Sequence, residues 1–244
     1  MKREYSKNDF FTQKAKEENY PARSVYKLQE IDNKFKIFKK GDWVLDLGAS
    51  PGSWLLYIGN KVSITGGVIG VDILDLNTGL PKNATFIKAN VLSDNFFDIL
   101  IRCCHPEQGC CHTEQGCCHP EQGCCHPEAK PKDLSRDSSL SFRTTEQELT
   151  FNVVVSDMAP NTTGLLQVDV ANCLELTRKA LEIAQKRLAK GGKFVCKIFE
   201  GPGVDLFVKE TKRHFKSIKR YRPQAVRKGS KEIYLVAKGF SPQL

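Results

Sequence analysis

The chain has 244 residues, of which 40% are apolar, and its formal net charge is +9. This length fits one large domain, or one domain with an insertion, and no apolar run reaches the roughly 18 residues that a membrane-spanning helix needs. The first twenty residues contain no apolar core of a secretory signal, so we predict an intracellular protein, in the cytoplasm or nucleolus, with an organelle as the alternative.

Positive charge is concentrated near both ends of the chain. Residues 1–40 contain eleven Lys or Arg against six acids, and residues 209–231 contain ten against one. Residues 103–148 instead contain eight acids against four cations. Clustered cations are typical of a protein that binds a polyanion, and we predict nucleic acid as the partner. A solvated basic surface is the alternative.

Short apolar runs alternate with helical patterns along most of the chain. Residues 169–190 have apolar side chains at helical spacing, and Gly191 and Gly192 are predicted to end that helix. Continuous apolar strands suit a parallel sheet covered on both faces, so the predicted fold class is α/β, with a doubly wound sheet. The last two strands are separated only by a loop, which predicts an antiparallel pair at one edge. The predicted strands are residues 43–49, 66–73, 84–90, 151–157, 193–199, 217–222 and 232–240.

The segment from Cys103 to Lys130 repeats Cys-Cys-His with a seven-residue period and contains eight of the ten cysteines. The repeat could bind soft metal ions such as Zn²⁺ or Cu(I), but adjacent cysteines do not follow the C-x-x-C spacing of structural zinc sites. The segment is rich in Gly and Pro and has few large apolar residues. We therefore interpret 103–149 as a disordered low-complexity insertion in a single domain, 1–244, and assign no metal site. A metal-binding or redox function of the repeat is the alternative.

The turn after the first strand, DLGASPGSW, predicts a ligand site. Ligands of such sheets bind at the carboxyl ends of the strands, where Gly48 and Gly52 let the backbone approach a ligand closely. The turn is neither G-x-G-x-x-G nor a Walker A sequence, which argues against a pyrophosphate. Asp72 ends the second strand, where an acid can accept hydrogen bonds from a ribose. This combination suits S-adenosylmethionine, and an ordinary strand-to-helix turn is the alternative.

Six segments resemble, in this order, the FtsJ/RrmJ family of ribose 2′-O-methyltransferases: RSVYKLQEID, DLGASPGSW, VDILD, VVSDMAPNTTG, CKIFEG and KEIYLVAKG. The resemblance covers nearly the whole chain outside 103–149. It implies a Rossmann-like fold, a mostly parallel sheet of seven strands with the last inserted antiparallel, and S-adenosylmethionine as methyl donor. In place of the family's usual Asp at the adenine-binding position, this chain has Asn90. The implied donor-binding residues are Gly48, Ser50, Pro51, Gly52, Trp54, Asp72, Asn90 and Asp157.

The family's catalytic Lys-Asp-Lys-Glu tetrad matches Lys27, Asp157, Lys197 and Glu232. A ribose 2′-hydroxyl is a weak acid that must lose its proton as it attacks the methyl group, so a base must lie within hydrogen-bond reach. Lys197 matches the family's proposed base, and a lysine accepts a proton only when it is neutral, a form favoured by burial or a nearby cation. Two neighbouring carboxylates favour the charged form instead. In that case catalysis depends mainly on placing donor and hydroxyl together.

Other methyl acceptors fit less well. The loop Asp157-Met158-Ala159-Pro160 differs from the D/N-P-P-F/Y/W loop of adenine-amine methylation, and Cys173 and Cys196, which we predict to be buried, lack the Pro-Cys context of cytosine methylation. The segment SDMAPNTTG is more similar to the large-subunit ribosomal RNA branch of the family than to its transfer RNA branch. The resemblance therefore implies large-subunit ribosomal RNA as the substrate, with transfer RNA as the alternative, and we predict a monomeric protein. Tyr221 is predicted to be a packed side chain. The predicted RNA-binding residues are Arg23, Lys27, Arg222, Arg227 and Lys228.

Overall fold

The computed structural model describes residues 10–104 and 149–242 of the chain. The strands are β1 Trp43–Leu47, β2 Gly67–Asp72, β3 Ala84–Lys88, β4 Phe151–Ser156, β5 Leu188–Phe199, β6 Phe215–Tyr221 and β7 Glu232–Phe240. The helices are α1 Phe10–Glu17, α2 Val25–Phe35, α3 Ser53–Val62, α4 Phe96–Cys104, α5 Leu166–Arg187 and α6 Val204–Lys212. No helix within the two described ranges is long and apolar enough to cross a bilayer.

The seven strands form one sheet in the order β3-β2-β1-β4-β5-β7-β6. Strands β1 to β5 are parallel to one another, whereas β7 runs antiparallel between β5 and β6. All seven predicted strands are present, and β6 and β7 form the predicted antiparallel pair at one edge. The strand order reverses between β1 and β4, so the crevice in which such sheets bind ligands lies at the carboxyl ends of these two strands.

Helices cover both faces because the central strands have apolar side chains pointing in both directions. Val44, Val153 and Val195 lie in a buried cluster with residues of α1, α2 and α3. Leu45 and Phe194 lie in a second cluster with residues of α4, α5 and α6. Burial of these two apolar layers is the main favourable contribution to folding. The predicted fold class is confirmed.

Helix α2 is absent from the elements predicted from the sequence. Its side chains Leu28 and Ile31 are fully buried on the same face of the sheet as α3. Asp32, near the end of the helix, is also buried and accepts hydrogen bonds from the Ile37 N–H at 2.9 Å and the Tyr57 hydroxyl at 2.7 Å. These contacts fix α2 against α3 and the sheet.

The predicted end of helix α5 at Gly191–Gly192 is wrong. The helix ends at Arg187, and β5 begins at Leu188. The register between β4 and β5 shifts after this point, because Phe151 pairs with Leu188 whereas Val153 pairs with Lys193. Gly191 has a φ of +83° within the shifted stretch. The two glycines therefore accommodate an irregularity in the strand instead of ending the helix.

Nearly all of the Cys-Cys-His repeat lies outside the described residues, which omit 105–148. Helix α4 continues through Cys104, so it includes the first two residues of the segment predicted to be an insertion, and Leu149, the last residue of that segment, is buried in the core. The prediction of a disordered insertion otherwise remains a prediction. Among residues 10–104 and 149–242, no group of three or more His, Cys, Asp or Glu side chains could hold a metal ion.

Candidate active site

Strand pairing places three polar side chains together near the carboxyl end of β5. Lys197 of β5 lies directly opposite Tyr234 of β7, and Glu232 precedes Tyr234 by two residues on the same strand. Side chains two residues apart on a strand point to the same face. Asp157 directly follows β4, which pairs with β5 on its other side. The register of the sheet therefore brings together three of the four residues of the predicted tetrad.

Helix α2 contributes the fourth residue, Lys27. The helix lies on the face of the sheet to which Tyr234 points, and Lys27 Nζ is 2.6 Å from Glu232 Oε1. The indole N–H of Trp54, on α3, donates a hydrogen bond of 3.1 Å to the carbonyl of Ser24. This bond fixes the start of α2, and with it Lys27, beside the sheet.

The tetrad and Tyr234 form one continuous chain of contacts. Lys197 Nζ lies 3.1 Å from Asp157 Oδ1 and also donates to the Asp157 carbonyl. The Tyr234 hydroxyl oxygen is 2.7 Å from Asp157 Oδ1 and 2.7 Å from Glu232 Oε1. A hydroxyl has one proton, so it donates to one of these carboxylates at a time. Tyr234 thus connects the Lys27–Glu232 pair to the Lys197–Asp157 pair.

Burial and neighbouring charges act in opposite directions on Asp157. Burial by itself raises the pKa of this carboxyl, but the positive charges of Lys197 and Lys27 and the hydrogen bond from Tyr234 together hold the pKa below its ordinary value. Burial and the negative charges of Asp157 and Glu232 raise the pKa of Tyr234 well above its ordinary value. At neutral pH the active site therefore contains an ionised Asp157 and a neutral tyrosine hydroxyl.

Tyr234 is missing from the residues predicted from the sequence. It is fully buried within an apolar strand, so in the sequence it is indistinguishable from an ordinary core residue. The signal that could have identified it is the strand period of two, which puts Tyr234 on the same face as Glu232. A buried tyrosine hydroxyl needs a hydrogen-bond partner, and the tetrad provides the polar groups on that face.

The turn after β1 lies where the strand order reverses. Gly48 has a φ of +83°, and a Cβ there would come within 2.8 Å of the Met158 nitrogen. Gly52 has a φ of +108°, and a Cβ there would come within 2.5 Å of Thr78 Cγ2. Glycine meets both requirements, the backbone conformation and the close approach. Gly48 in particular allows the loop that carries Asp157 to lie against the turn.

Three of the predicted donor-binding residues lie at neighbouring strand ends. The two carboxylate oxygens of Asp72 accept hydrogen bonds from the N–H groups of Ser50 and Leu74, each at 2.9 Å. Asn90 Oδ1 accepts the N–H of Leu92 at 3.0 Å. Each oxygen keeps a second lone pair, which leaves it able to accept a ribose hydroxyl or an adenine amino group. Because β3 runs parallel to β2, Asn90 lies beside the end of β2.

Pro51 and Trp54 lie on either side of Gly52, where α3 begins. The Trp54 side chain is 3% exposed, and its ring centre is 6.2 Å from that of Tyr234. The indole therefore supports the tetrad from behind, and Trp54 as a whole is buried. The donor-binding roles of Pro51, Gly52 and Trp54 remain predictions.

A third acid, Asp46 of β1, lies beneath this crevice and was not among the predicted residues. It is fully buried, and neither of its carboxylate oxygens has a hydrogen-bond partner in the described part of the chain. Burial raises the pKa of this carboxyl well above its ordinary value, and the negative charges of Asp157 and Asp72 raise it further. A buried carboxyl without a partner is costly unless a cation or a hydrogen-bond donor joins it.

The negative charge of the acids favours S-adenosylmethionine as a ligand and disfavours a phosphate. Asp46, Asp72 and Asp157 come from β1, β2 and the end of β4, which are adjacent in the sheet. The methyl donor has a positively charged sulfur, an ammonium group and two ribose hydroxyls that donate hydrogen bonds, and it has no phosphate. A pyrophosphate in the same place would be repelled by the carboxylates. The residues of this crevice therefore fit the methyl donor.

A pocket of about 370 Å³ opens beside Lys27 and Glu232. One wall is the start of α2, with Arg23, and the other is the loop between β6 and β7, with Arg227 and Lys228. Four cations and one acid among its lining residues favour a phosphate backbone as the ligand. The structure thus brings four of the five predicted RNA-binding residues together.

Arg222 is the fifth predicted RNA-binding residue, and it is not among the residues that line the pocket. Its guanidinium donates to the carbonyl of Ser230 at 2.6 Å and to that of Glu232 at 3.4 Å. Arg222 is exposed and supports the loop through these two carbonyls, and its contact with RNA remains a prediction. The ring of Tyr221 packs edge-on against Phe35 at 5.4 Å, which confirms the predicted packed side chain.

The two cysteines considered as nucleophiles are both fully buried. Cys173 lies in α5 and Cys196 in β5, and burial raises the pKa of each thiol. A thiol attacks a base carbon as the thiolate, which these surroundings disfavour. The predicted burial of both cysteines is confirmed.

Comparison with known proteins agrees with this architecture. A profile of the FtsJ-like methyltransferase family matches residues 20–240. The ribosomal RNA large subunit methyltransferase E of Nitratidesulfovibrio vulgaris (strain DP4) is 39% identical over 234 residues, which cover 95% of this chain and 93% of that protein. The protein of the same name from Lawsonia intracellularis (strain PHE/MN1-00) is 38% identical over 234 residues, 95% of this chain and 94% of that protein.

Among solved structures, a candidate ribosomal RNA methyltransferase from Plasmodium falciparum has a TM-score of 0.63 and 24% sequence identity. The match covers 92% of this chain and 100% of that one, and it supports the fold alone. The profile and the two relatives each cover most of the sequence. The chain therefore belongs to the FtsJ-like methyltransferase family, and its methyl donor is S-adenosylmethionine.

Proposed function

We propose that this enzyme methylates a ribose 2′-hydroxyl of large-subunit ribosomal RNA. The observation that carries the proposal is the chain of contacts from Lys27 and Glu232, in the cationic pocket, through Tyr234 to Asp157 and Lys197. One end of this series of contacts lies in the cationic pocket, which attracts RNA phosphates. The other end adjoins the acidic crevice for the donor. A hydroxyl of the RNA would thus meet the methyl group beside Lys197.

The two contacts of Lys197 with Asp157 suit a lysine that acts as a base. A neutral amine has two hydrogens and one lone pair in a tetrahedral arrangement. The carboxylate and the carbonyl of Asp157 both accept from Lys197 Nζ, which accounts for two of the three positions that remain around the nitrogen besides its bond to carbon. The lone pair then points to the remaining position, where it can accept the proton of the ribose hydroxyl.

Bound S-adenosylmethionine supplies an electrophilic methyl group on a positively charged sulfur. When Lys197 is neutral, it takes up the proton that the ribose hydroxyl loses, and Asp157 stabilises the ammonium so formed. When Lys197 carries a proton, catalysis depends mainly on placing donor and hydroxyl together. Lys27, paired with Glu232, adds positive charge beside the pocket, which favours the approach of the RNA backbone. Tyr234 contacts both carboxylates and donates its one proton to either of them.

Ribosomal RNA is favoured as the substrate because both relatives described above are named ribosomal RNA large subunit methyltransferases. Transfer RNA stays the alternative substrate, and the comparisons give no support to a metal-binding or redox function. Both relatives are bacterial proteins, so a nucleolar or organellar location also has no support. The monomeric state remains a prediction.

The test is the transfer of labelled methyl groups from S-adenosylmethionine to large ribosomal subunits, taken from cells in which the gene for this chain has been deleted. The RNA is then digested and its nucleosides are identified. The wild-type protein should yield a 2′-O-methylnucleoside. Lys197→Ala should lower the rate by about 10²- to 10⁴-fold, the usual contribution of a general base, with donor affinity retained.

Lys190→Ala is the matched control, because Lys190 lies on the same strand and is exposed. Its rate should equal that of the wild type. A methylated base in place of a methylated ribose would overturn the proposed reaction. A methylated ribose in transfer RNA, with none in the ribosomal subunits, would contradict the proposed substrate but not the proposed reaction.

A further inference from the structure

The loop between β6 and β7, residues 222–231, forms one wall of the cationic pocket. It carries Arg227 and Lys228, which are exposed and line the pocket, and its residues lie outside regular secondary structure. A loop has no ladder of backbone hydrogen bonds to fix it, so its position depends on side-chain anchors. The anchors of this loop therefore decide where the two cations lie.

Glu30 of α2 is the principal polar anchor of this loop. One carboxylate oxygen accepts the backbone N–H of Gln224 at 2.6 Å, and the other accepts that of Ala225 at 3.0 Å. Two successive N–H groups on one carboxylate fix the backbone in both position and orientation. Hydrogen bonds to a charged acceptor are shorter and stronger than neutral ones.

Further contacts hold the same stretch against α2. Just before the helix, Arg23 donates to the Ala225 carbonyl at 2.6 Å, so both polar groups of the Ala225 backbone bond to side chains from this one region. Ala225 and Val226 are buried against the α2–α3 face of the sheet. The loop is therefore attached to α2 by a polar clamp and an apolar contact.

The helix that holds the loop also holds the tetrad. Lys27 lies one helical turn before Glu30, and its Nζ is 2.6 Å from Glu232 Oε1. Residues three apart on a helix are neighbours on its surface. A single rigid element therefore sets the distance between the loop cations and the catalytic residues.

We propose that Glu30 is a positioning residue for RNA, which acts through the loop cations and not on the reacting atoms. The inference rests on the proposed function, since it requires RNA to bind in the pocket. Glu30→Gln preserves the size of the side chain but replaces one acceptor oxygen with an NH₂ group that faces a backbone N–H. The loop then loses one hydrogen bond, retains the other without its charge assistance, and gains a repulsive contact.

The experiment measures kcat, KM for RNA and donor affinity on undermethylated large ribosomal subunits. Glu30→Gln should raise KM for RNA by about tenfold, the usual effect of losing a hydrogen bond to a charged group. Its kcat should stay within about twofold of the wild type, with donor affinity unchanged. Glu175→Gln, which removes an exposed negative charge from α5, should leave all three values unchanged.

A second variant separates positioning from loss of stability. If Glu30 acts through the loop, then Lys228→Gln should raise KM several-fold in the wild type and much less in the Glu30→Gln background. A purely structural defect would instead make the two effects multiply. Glu30→Asp retains the charge on a shorter side chain and should give an intermediate KM, so the series stays informative if Glu30→Gln folds poorly.

Two results would overturn the inference: an unchanged KM for RNA in Glu30→Gln, or effects of Glu30→Gln and Lys228→Gln that simply multiply. Failure of the proposed function has a different signature, because the wild-type protein would then methylate no RNA ribose at all. The two failures can therefore be told apart from the wild-type control alone.

Discussion

The donor crevice and the cationic pocket are opposite in charge and are built in different ways. The crevice has two acids, Asp72 and Asp157, at the ends of β2 and β4, and a third acid, Asp46, lies buried beneath it on β1. The pocket is lined by four cations on a helix start and a loop. Each region is opposite in charge to the ligand that it suits, a cationic methyl donor on one side and an anionic RNA on the other. Where the two regions meet, each of two lysines pairs with a carboxylate, and Tyr234 contacts both carboxylates.

The two regions also differ in how they are held. The acids of the crevice lie on strands or directly after them, so the hydrogen bonds of the sheet fix their positions. The cations of the pocket depend on side-chain bonds such as those of Glu30 and Arg222. We therefore expect substitutions in the crevice to change donor affinity or the rate, and substitutions in the pocket to change RNA affinity with little effect on the donor.

The largest effect on donor affinity is expected for Asp72→Asn. The substitution removes the negative charge that would accept ribose hydroxyls and also weakens the bonds to the N–H groups of Ser50 and Leu74. Donor affinity, measured by calorimetry without RNA, should fall by about ten- to a hundredfold. RNA affinity should not change. Asp75→Asn is the control, because Asp75 is a nearby exposed acid; an equal loss in both variants would contradict a specific role for Asp72.

A smaller effect on the rate is expected for Tyr234→Phe, which removes the hydroxyl that connects the two halves of the tetrad. We expect kcat at neutral pH to fall by about tenfold. The hydrogen bond from Tyr234 helps to hold the pKa of Asp157 down, so its loss should raise that pKa and move the acidic limb of the pH profile to higher pH.

Tyr57→Phe is the control for this prediction. It also removes the hydroxyl of a buried tyrosine, but that hydroxyl donates to Asp32, away from the active site. Its pH profile should coincide with that of the wild type, although the protein should be less stable. An unmoved acidic limb in Tyr234→Phe would show that the Tyr234 hydroxyl does not influence the ionisation of Asp157.

The smallest effect is on stability and concerns Asp46. A carboxyl whose pKa is higher in the folded than in the unfolded state binds protons more tightly when folded, so it destabilises the fold increasingly as pH rises above the unfolded value of about 4. Asp46→Asn should remove this penalty. The free energy of unfolding of the variant, relative to the wild type, should therefore be higher at pH 8 than at pH 5.

Urea unfolding without donor measures this difference. Asp94→Asn, which changes an exposed acid, should show no such trend with pH. A constant difference between Asp46→Asn and the wild type at both pH values would mean that Asp46 does not titrate over this range.

Much of the site could be predicted because it depends on strands, and a strand is visible in the sequence as an apolar run. The ends of β1, β2, β4 and β5 could be placed from such runs, and with them Gly48, Asp72, Asp157 and Lys197. The predicted end of α5 was wrong because it depends on the register shift between β4 and β5. Pairing across the sheet decides that shift, and the helical pattern of apolar residues contains no information about it. Tyr234 and Asp46 were missed because burial hides a polar role.

The sequence by itself determined the sheet and the family, since these depend on local patterns and on ordered motifs, and it predicted the residues of the tetrad. Only the tertiary structure decided which charges face one another. It joined Glu30 to a loop that lies 194 residues further along the chain, assigned Arg222 to backbone carbonyls, and left Asp46 without a partner among the described residues. The physical reason is that hydrogen bonds and Coulomb interactions act over a few ångströms, and the fold alone sets distances between residues far apart in sequence.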